Sequence, residues 1–251
     1  MNPGSRDPRD GARLAGVVLA GGASRRMGRP KAGLEWAGDT FLGHVVAALA
    51  AAKVDPIVVV AGTHRAAAAA ALGEPARARI VVNPHPERGQ LSSLKVALRD
   101  LAVGEGAGPP GGVGPCGAVV ALVDHPAVHA STVAALVEAA LAEVASAEEV
   151  RAGAIPSRSE DRPRSGTSRR PAAGILIPTF DGRRGHPVVF LRPVWAELLD
   201  APDAFGAKPV VRRDPGRVRE VAVEDPGILI DVDTPADLAA LPDPPHARSR
   251  P

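Results

Sequence analysis

Four short apolar runs, each followed by a helix-like segment, constrain this chain more than any other feature: "LAGVVLA" (14–20), "PIVVVAG" (56–62), "ARIVVN" (78–83) and "GAVVALVD" (117–124). The segments after them are "TFLGHVVAALAAAK" (40–53), "HRAAAAAAL" (64–72), "QLSSLKVALRDLA" (90–102) and "STVAALVEAALAEVA" (131–145). Continuous β-branched runs leave no polar face, so both sides of such strands must be covered. Helices crossing between parallel strands do this. The final third reads differently. "AGILIPTF" and "HPVVFL" flank "DGRRG", which predicts a hairpin, and "RVREVAV", "GILIDVD" and a short helix in "TPADLAAL" follow. The expected fold is therefore α/β: a three-layer α/β/α sandwich around a mixed, mainly parallel, Rossmann-like sheet.

Two segments interrupt this rhythm. "GEGAGPPGGVGP" (104–115) is a Gly/Pro linker, and "RAGAIPSRSEDRPRSGTSRRP" (151–171) has no apolar periodicity and predicts a disordered loop. Disordered tails are expected over 1–13 and 241–251, which leaves one domain over 14–240. The formal net charge of +2 is too balanced to argue for nucleic acid. Cys116 stands alone, so no internal disulfide is possible. No apolar run is read as a membrane span or a leader, and the expected compartment is the cytoplasm.

The first run feeds "VVLAGGASRRMGRPK" (17–31). A P-loop would need Gly-Lys-Ser/Thr, but Gly28 is followed by Arg29, Pro30 and Lys31. The dinucleotide fingerprint fails because Ala23 stands where a second spaced glycine is required. The physics of the loop survives both failures. Gly21, Gly22 and Gly28 allow close backbone approach to a ligand, while Arg25, Arg26 and Lys31 bring positive charge. The loop also follows the first strand, where open parallel sheets bind ligands. The plainer alternative is a glycine turn with solvated arginines.

The string Leu19, Ala20, Gly21, Gly22, Ser24, Arg26, Met27, Gly28 and Lys31 resembles the signature loop of the MobA-like nucleotidyltransferases. "GQLSSL" (89–94), "VDHP" (123–126), "GRRGHPVVF" (182–190) and "DVDTPADL" (231–238) resemble further segments of its molybdenum cofactor cytidylyltransferase branch, with His125 where that branch has Gln. The resemblance implies transfer of a nucleotide from an NTP to a phosphorylated acceptor, molybdopterin before others, with release of pyrophosphate. It implies that Leu19, Ala20, Gly21, Gly22, Ser24, Arg26 and Gly28 form the nucleotide-binding loop, with Arg26 on the β- and γ-phosphates. Lys31 faces the α-phosphate or the acceptor. Ser92 and Ser93 are expected at the base or ribose, unless one of them caps a helix.

Asp124 and Asp233 each follow an expected strand. Two carboxylates beside a triphosphate suit Mg²⁺, although an Asp at such a place is often only a helix cap. His125 and His129 are four apart, but Pro126 and the lack of an intervening Glu make a zinc-protease reading poor. His186 is read as structural or acceptor-facing, Arg25 as a solvated bystander, Met27 as a packing residue, and Lys208 is left without a role. Two other activities fit the same residues: transfer to a sugar phosphate or another small phosphate, and a non-catalytic chaperone handing cofactor to a molybdoenzyme. The base is divided. Gly21 matches the guanylyl branch, whereas "SSL", "GHP" and "DVD" match the cytidylyl branch, so CTP is expected with GTP as the alternative.

Overall fold

The computed structural model describes residues 12–22, 27–73, 77–103, 114–151 and 173–242. The first strand, β1 (Leu14–Leu19), is buried along its whole length. A two-residue hairpin, β2 (Glu35–Trp36) and β3 (Asp39–Thr40), leads into α1 (Phe41–Ala51), whose first turn is capped by the Thr40 hydroxyl accepting from the Gly43 amide. Then come β4 (Ile57–Ala61), α2 (Arg65–Leu72), β5 (Arg79–Val82), α3 (Gln90–Val103), β6 (Gly117–Leu122) and α4 (Ala130–Arg151). The last part holds β7 (Ile175–Phe180), β8 (Arg183–Arg184), β9 (Val188–Leu191), α5 (Trp195–Asp200), α6 (Lys208–Arg213), β10 (Val218–Ala222) and α7 (Pro235–Ala239).

The strands form one sheet in the order β10-β7-β9-β6-β1-β4-β5, with β8 paired to β7. Along this path only β9 runs against its neighbours β6 and β7; the pairs β10–β7, β6–β1, β1–β4 and β4–β5 are parallel. The sheet is mixed and mainly parallel, as the strand spacing predicts. The reversal is made by the Asp181–Gly182 turn, whose φ angles of 49° and 71° are the left-handed values that an Asp-Gly hairpin favours.

Alternating residues of β1 serve the two covering layers. Leu14 and Val18 pack with α1 and α4 residues such as Leu42, Val46 and Leu136. Ala15, Val17 and Leu19 pack with Leu94 and Leu98 of α3 and Trp195 and Leu198 of α5. Neither face of β1 meets water, which accounts for the absence of polar residues in the run.

Three expectations need correction or restriction. "GILIDVD" adds no strand: Pro226–Leu229 is a 3-10 turn, and the chain then crosses the end of β6, where the Val232 amide donates to the Asp124 carbonyl at 3.0 Å. The Asp225 carboxylate, which accepts from the Gly227 amide, and the Pro at the turn's start favour the turn over a ladder. Helix α4 extends to Arg151, beyond the expected 145. It is long and apolar enough by composition to cross a membrane, a property that the reading of the sequence did not assign to it, and it docks Val133, Leu136 and Ala140 on the sheet. The expected linker and loop, at 104–115 and 151–171, and both expected tails lie largely outside the described residues.

Candidate active site

The parallel strands β1, β4, β5 and β6 share a C-terminal edge, and the chain leaves β1 in one direction toward β4 and returns on its other side as β6. Ligands of open α/β sheets bind at such a switch. Lys31 lies beside this edge at the start of a 3-10 turn, Lys31–Gly33, and is 9% exposed. Its Nζ donates to Asp233 Oδ1 at 2.5 Å and to Asp124 Oδ2 at 3.0 Å, and lies 3.9 Å from Asp231 Oδ1. Desolvation pulls the Lys31 pKa down, but the bonds and charges of Asp233 and Asp124 outweigh it, and the group lies above its ordinary value. The ammonium is therefore held charged in a half-dry place.

The two carboxylates are not there to cap helices. At the start of α4 it is Asp225 that accepts from the His129 amide at 2.9 Å and the Thr132 hydroxyl at 2.6 Å. At α7 the cap is Thr234, in a reciprocal box with Asp237. Asp124 Oδ2 is taken by Lys31, while its Oδ1 is buried and has no hydrogen-bond partner among the described residues. An orphaned, anionic oxygen at a ligand edge fits a cation. Asp124, His125 and Asp231 bring ligand atoms within 4.8 Å of one another, a cluster that could hold a metal ion. Burial followed by the Asp124 charge raises the Asp231 pKa, as expected where carboxylates crowd together without full compensation.

Two cavities open at this edge. The smaller, ≈ 260 Å³, is lined by Gly21, Gly22, Gly89, Gln90, Ser93 and Asp124, with Leu19 and Pro86. The larger, ≈ 640 Å³, has an apolar floor that includes Leu94, Val120 and Phe190, and a rim carrying Arg88, Arg184, Lys208 and Arg212. Leu19, Gly89 and Gln90 line both, so the two compartments adjoin. Gly21 packs against the turn after β4: a Cβ there would stand 3.3 Å from the Gly62 amide nitrogen and 3.4 Å from Ser93 Oγ.

The expected site residues thus fall into distinct groups. Lys31, Asp124 and Asp233 meet, and Gly21, Gly22 and Ser93 line the smaller cavity with Leu19. Ala20 donates its amide to the Val60 carbonyl, Met27 packs on the core, and Gly28 has the positive φ of 68° that a glycine tolerates. Ser92 turns inward: its hydroxyl reaches the carbonyls of Gly89 (2.8 Å) and His85 (3.2 Å), which answers the plainer reading of that serine as a helix-start residue. Ser24, Arg25 and Arg26 lie outside the described residues. His186 and Lys208 line the larger cavity. The rings of His125 and His186 are in tilted contact, centroids 5.1 Å apart with 51° between their planes. Burial lowers both imidazoles, His186 to about 4 with His125 as the second cause.

Two residues escaped the reading of the sequence. Asn83, at the end of β5, donates to Ser92 Oγ at 2.8 Å and Ser93 Oγ at 2.9 Å, tying the start of α3 to the sheet. Its signal was a polar residue ending an apolar run. Asp231 stands two residues before Asp233 in "DVDTP", an alternate position in an extended segment that brings it to the same lysine.

An open α/β sheet with a lysine clamped by aspartates beside a glycine-walled cavity is an arrangement suited to holding a nucleotide's phosphates. Residues 16–218 match the MobA-like NTP transferase domain, and the chain belongs to that family. It is 30% identical over 238 residues, 92% of this chain and 96% of the relative, to a protein of Mycobacterium avium named probable molybdenum cofactor guanylyltransferase. A shorter stretch, 48 residues at 44% identity, matches a Bacillus cereus protein of the same name over 19% of this chain and 24% of that protein. Among solved structures, Rv0371c of Mycobacterium tuberculosis superposes with a TM-score of 0.64 at 26% identity, covering 92% of this chain and 97% of that one. Rv0371c has also been solved in complex with manganese (TM-score 0.59, 27% identity, 91% and 97% covered).

Proposed function

We propose that the protein transfers a nucleotidyl group, GMP before CMP, from an NTP to the phosphate of molybdopterin and releases pyrophosphate. The observation that carries this reading is the Lys31–Asp124–Asp233 cluster beside the cavity built from Gly21, Gly22 and Ser93. An acceptor phosphate oxygen forms a bond to the α-phosphorus, and the α-phosphorus–oxygen bond to the pyrophosphate breaks. Such a step needs alignment and charge neutralisation more than covalent help. Lys31, kept protonated by its two carboxylates, offers a fixed positive charge that can pass from Asp233 to a phosphate oxygen as charge develops. Asp124, with a free buried Oδ1, and Asp233 or Asp231 would hold Mg²⁺. When bound, the ion would supply Lewis-acid stabilisation of the nucleotide's phosphates. The smaller cavity suits the nucleoside, and Ser93 stands where it can meet the base or ribose.

The relatives' names favour guanylyl transfer over the cytidylyl transfer that three sequence segments suggested. Gly21, the residue of the guanylyl branch, supports the same choice, and its backbone stands close against Ser93 and the turn after β4. The "GHP" hairpin and Asp233 keep cytidylyl transfer as a second reading. The test is incubation with Mg²⁺, molybdopterin and equimolar GTP and CTP, followed by mass spectrometry and pyrophosphate measurement. A product dominated by the GMP adduct supports the proposal, and one dominated by the CMP adduct supports the second reading. Absence of pyrophosphate release with either nucleotide would overturn transfer to molybdopterin and leave transfer to another small phosphate or a cofactor-handing chaperone.

A further inference from the structure

The larger cavity holds a feature that the nucleotide side of the reaction does not require. The chain has six aromatic residues, four Phe and two Trp. Phe41, Phe190 and Trp195 are buried in the core, and Trp36 and Phe180 are half-buried. Phe205 alone is exposed, at 67%, and it lines the larger cavity. A single exposed phenyl group is ordinary on a protein surface. The support beneath this one is not.

Phe205 ends a 3-10 turn, Asp203–Phe205, closed by the Gly206 amide donating to the Asp203 carbonyl at 3.2 Å, with Gly206 at φ 62°. The turn is fastened from below by Lys95 of α3, itself only 9% exposed. Lys95 Nζ donates to the Ala201 carbonyl at 2.5 Å and lies 2.7 Å from Asp203 Oδ1. Burying an ammonium is costly unless it is paired. Both partners of this one belong to the segment that carries Phe205, so the buried charge fixes the turn. Helix α3 also carries Ser93 at its first turn, so one rigid element sets both the nucleoside wall and the turn that holds Phe205.

The rest of the cavity fits a flat, anionic guest. Its floor is apolar, and its rim carries Arg88, Lys208 and Arg212, with Arg184 paired to Glu220, against one carboxylate, Asp203, which is already opposed by Lys95. Such a rim draws anions toward the mouth, and an aromatic face offers stacking to any planar heterocycle. We propose that Phe205 is an aromatic wall on which the planar ring of the phosphorylated acceptor stacks, and that it sets acceptor specificity. The inference rests on the acceptor reading above. It places the ring in the larger cavity and lets the phosphate reach the α-phosphorus past Leu19, Gly89 and Gln90, which line both compartments.

The test uses the full chain with molybdopterin as acceptor and saturating NTP. Phe205→Ala should raise the acceptor KM roughly tenfold, the scale of one lost ring–aromatic stack, with kcat and the KM for NTP changed less than about twofold. Phe205→Leu, which keeps apolar cover and removes the π face, should raise it nearly as far. Phe205→Trp should restore the native KM, and the emission of the new indole should be quenched as acceptor is added without NTP. An unchanged acceptor KM in Phe205→Ala, or a change confined to NTP, overturns the aromatic wall while leaving the proposed reaction intact. Failure of the unsubstituted protein to nucleotidylate molybdopterin overturns both.

Discussion

The two cavities that meet at Leu19 are built by opposite means. The smaller is shaped by what is missing: Gly21, Gly22 and Gly89 bring bare backbone to its surface, and a single added methyl at Gly21 would touch the wall. The larger is shaped by what is present, namely long cationic side chains, an apolar floor and one exposed phenyl ring. A backbone-walled pocket tolerates little change and suits a ligand that must be held in one geometry. A side-chain-walled pocket can be retuned residue by residue, which suits the partner that varies between related transferases. Substitutions should therefore separate into those that stop the chemistry and those that change what is accepted.

The largest expected effects fall on the charged cluster at the edge of the smaller cavity, where Asp124 forms part of the wall and holds Lys31. Asp124→Asn and Asp233→Asn should each cut turnover by about two to four orders of magnitude, because each removes a partner of Lys31 and, on the proposed mechanism, a charge that holds the metal. Far-ultraviolet circular dichroism should remain native, since helix capping at α4 and α7 falls to Asp225 and Thr234. Lys31→Ala should lower kcat by about two orders of magnitude and the KM for NTP only a few-fold, as the developing charge is greatest in the transition state. Near-native turnover of both aspartate variants at limiting Mg²⁺ would remove the cluster from the mechanism. An effect of Lys31→Ala confined to KM would make the lysine a ground-state binder.

Asn83 sharpens the contrast on the smaller side. Its amide serves two buried serines at once, so Asn83→Ala leaves both hydroxyls short of a donor. The expected loss is about 1–3 kcal/mol of folding stability, read by urea denaturation, with a several-fold rise in the KM for NTP and a smaller one for the acceptor, whose turn is fastened further along the same helix by Lys95. An equal rise for both substrates would mean that the cavities are not independent. Gly21→Ala should act more finely. Its new methyl meets Ser93 Oγ at 3.4 Å and the Gly62 amide nitrogen at 3.3 Å, a tight fit that obliges the neighbours to give by a few tenths of an ångström. The protein should fold, with kcat/KM for GTP lowered about tenfold more than that for CTP, because a small steric change in a fitted pocket is worth roughly that much. Equal losses for the two nucleotides would remove Gly21 from base selection.

The same contrast explains what the sequence could announce. The glycine-walled side was legible because its parts are contiguous: the chain runs from a buried strand directly into Gly21 and Gly22, and residues 90–93 open one helix. The parallel strands were legible because burial on both faces forces an uninterrupted apolar run. The larger cavity was not, since it draws on α3, β6, β7, β8, β9 and α6 and on the turn at 203–206, and no local spacing joins Lys208 to Arg88. Asn83 and Asp231 were missed for a related reason: a lone polar residue at a strand end or in an extended segment carries no period. "GILIDVD" misled in the other direction. Its apolar residues do bury, as Ile228 and Val232 are fully covered, but through a turn and an unladdered segment.

The smallest expected effect lies on the larger side and concerns acid stability. His186 is pressed to a pKa of about 4 by burial and then by His125 at ring contact. In the unfolded chain it would titrate near 6.5. Above that value the residue is neutral in both states and makes no pH-dependent contribution. As pH falls from about 6.5 toward 4, the unfolded chain takes up a proton that the folded one refuses, so stability drains away through that window. His125 is lowered too, chiefly by burial, and adds to the slope in the same direction. His186→Leu removes one of the two contributions without orphaning a partner, since Nδ1 of His186 is buried with none among the described residues. The variant should match the native protein at pH 7.5 and lose less stability on moving to pH 5, measured by urea denaturation at each pH. An unchanged difference between the two pH values would mean that His186 is protonated as easily in the folded protein as in the open chain. The imidazole would then face water in the larger cavity rather than forming part of its dry wall.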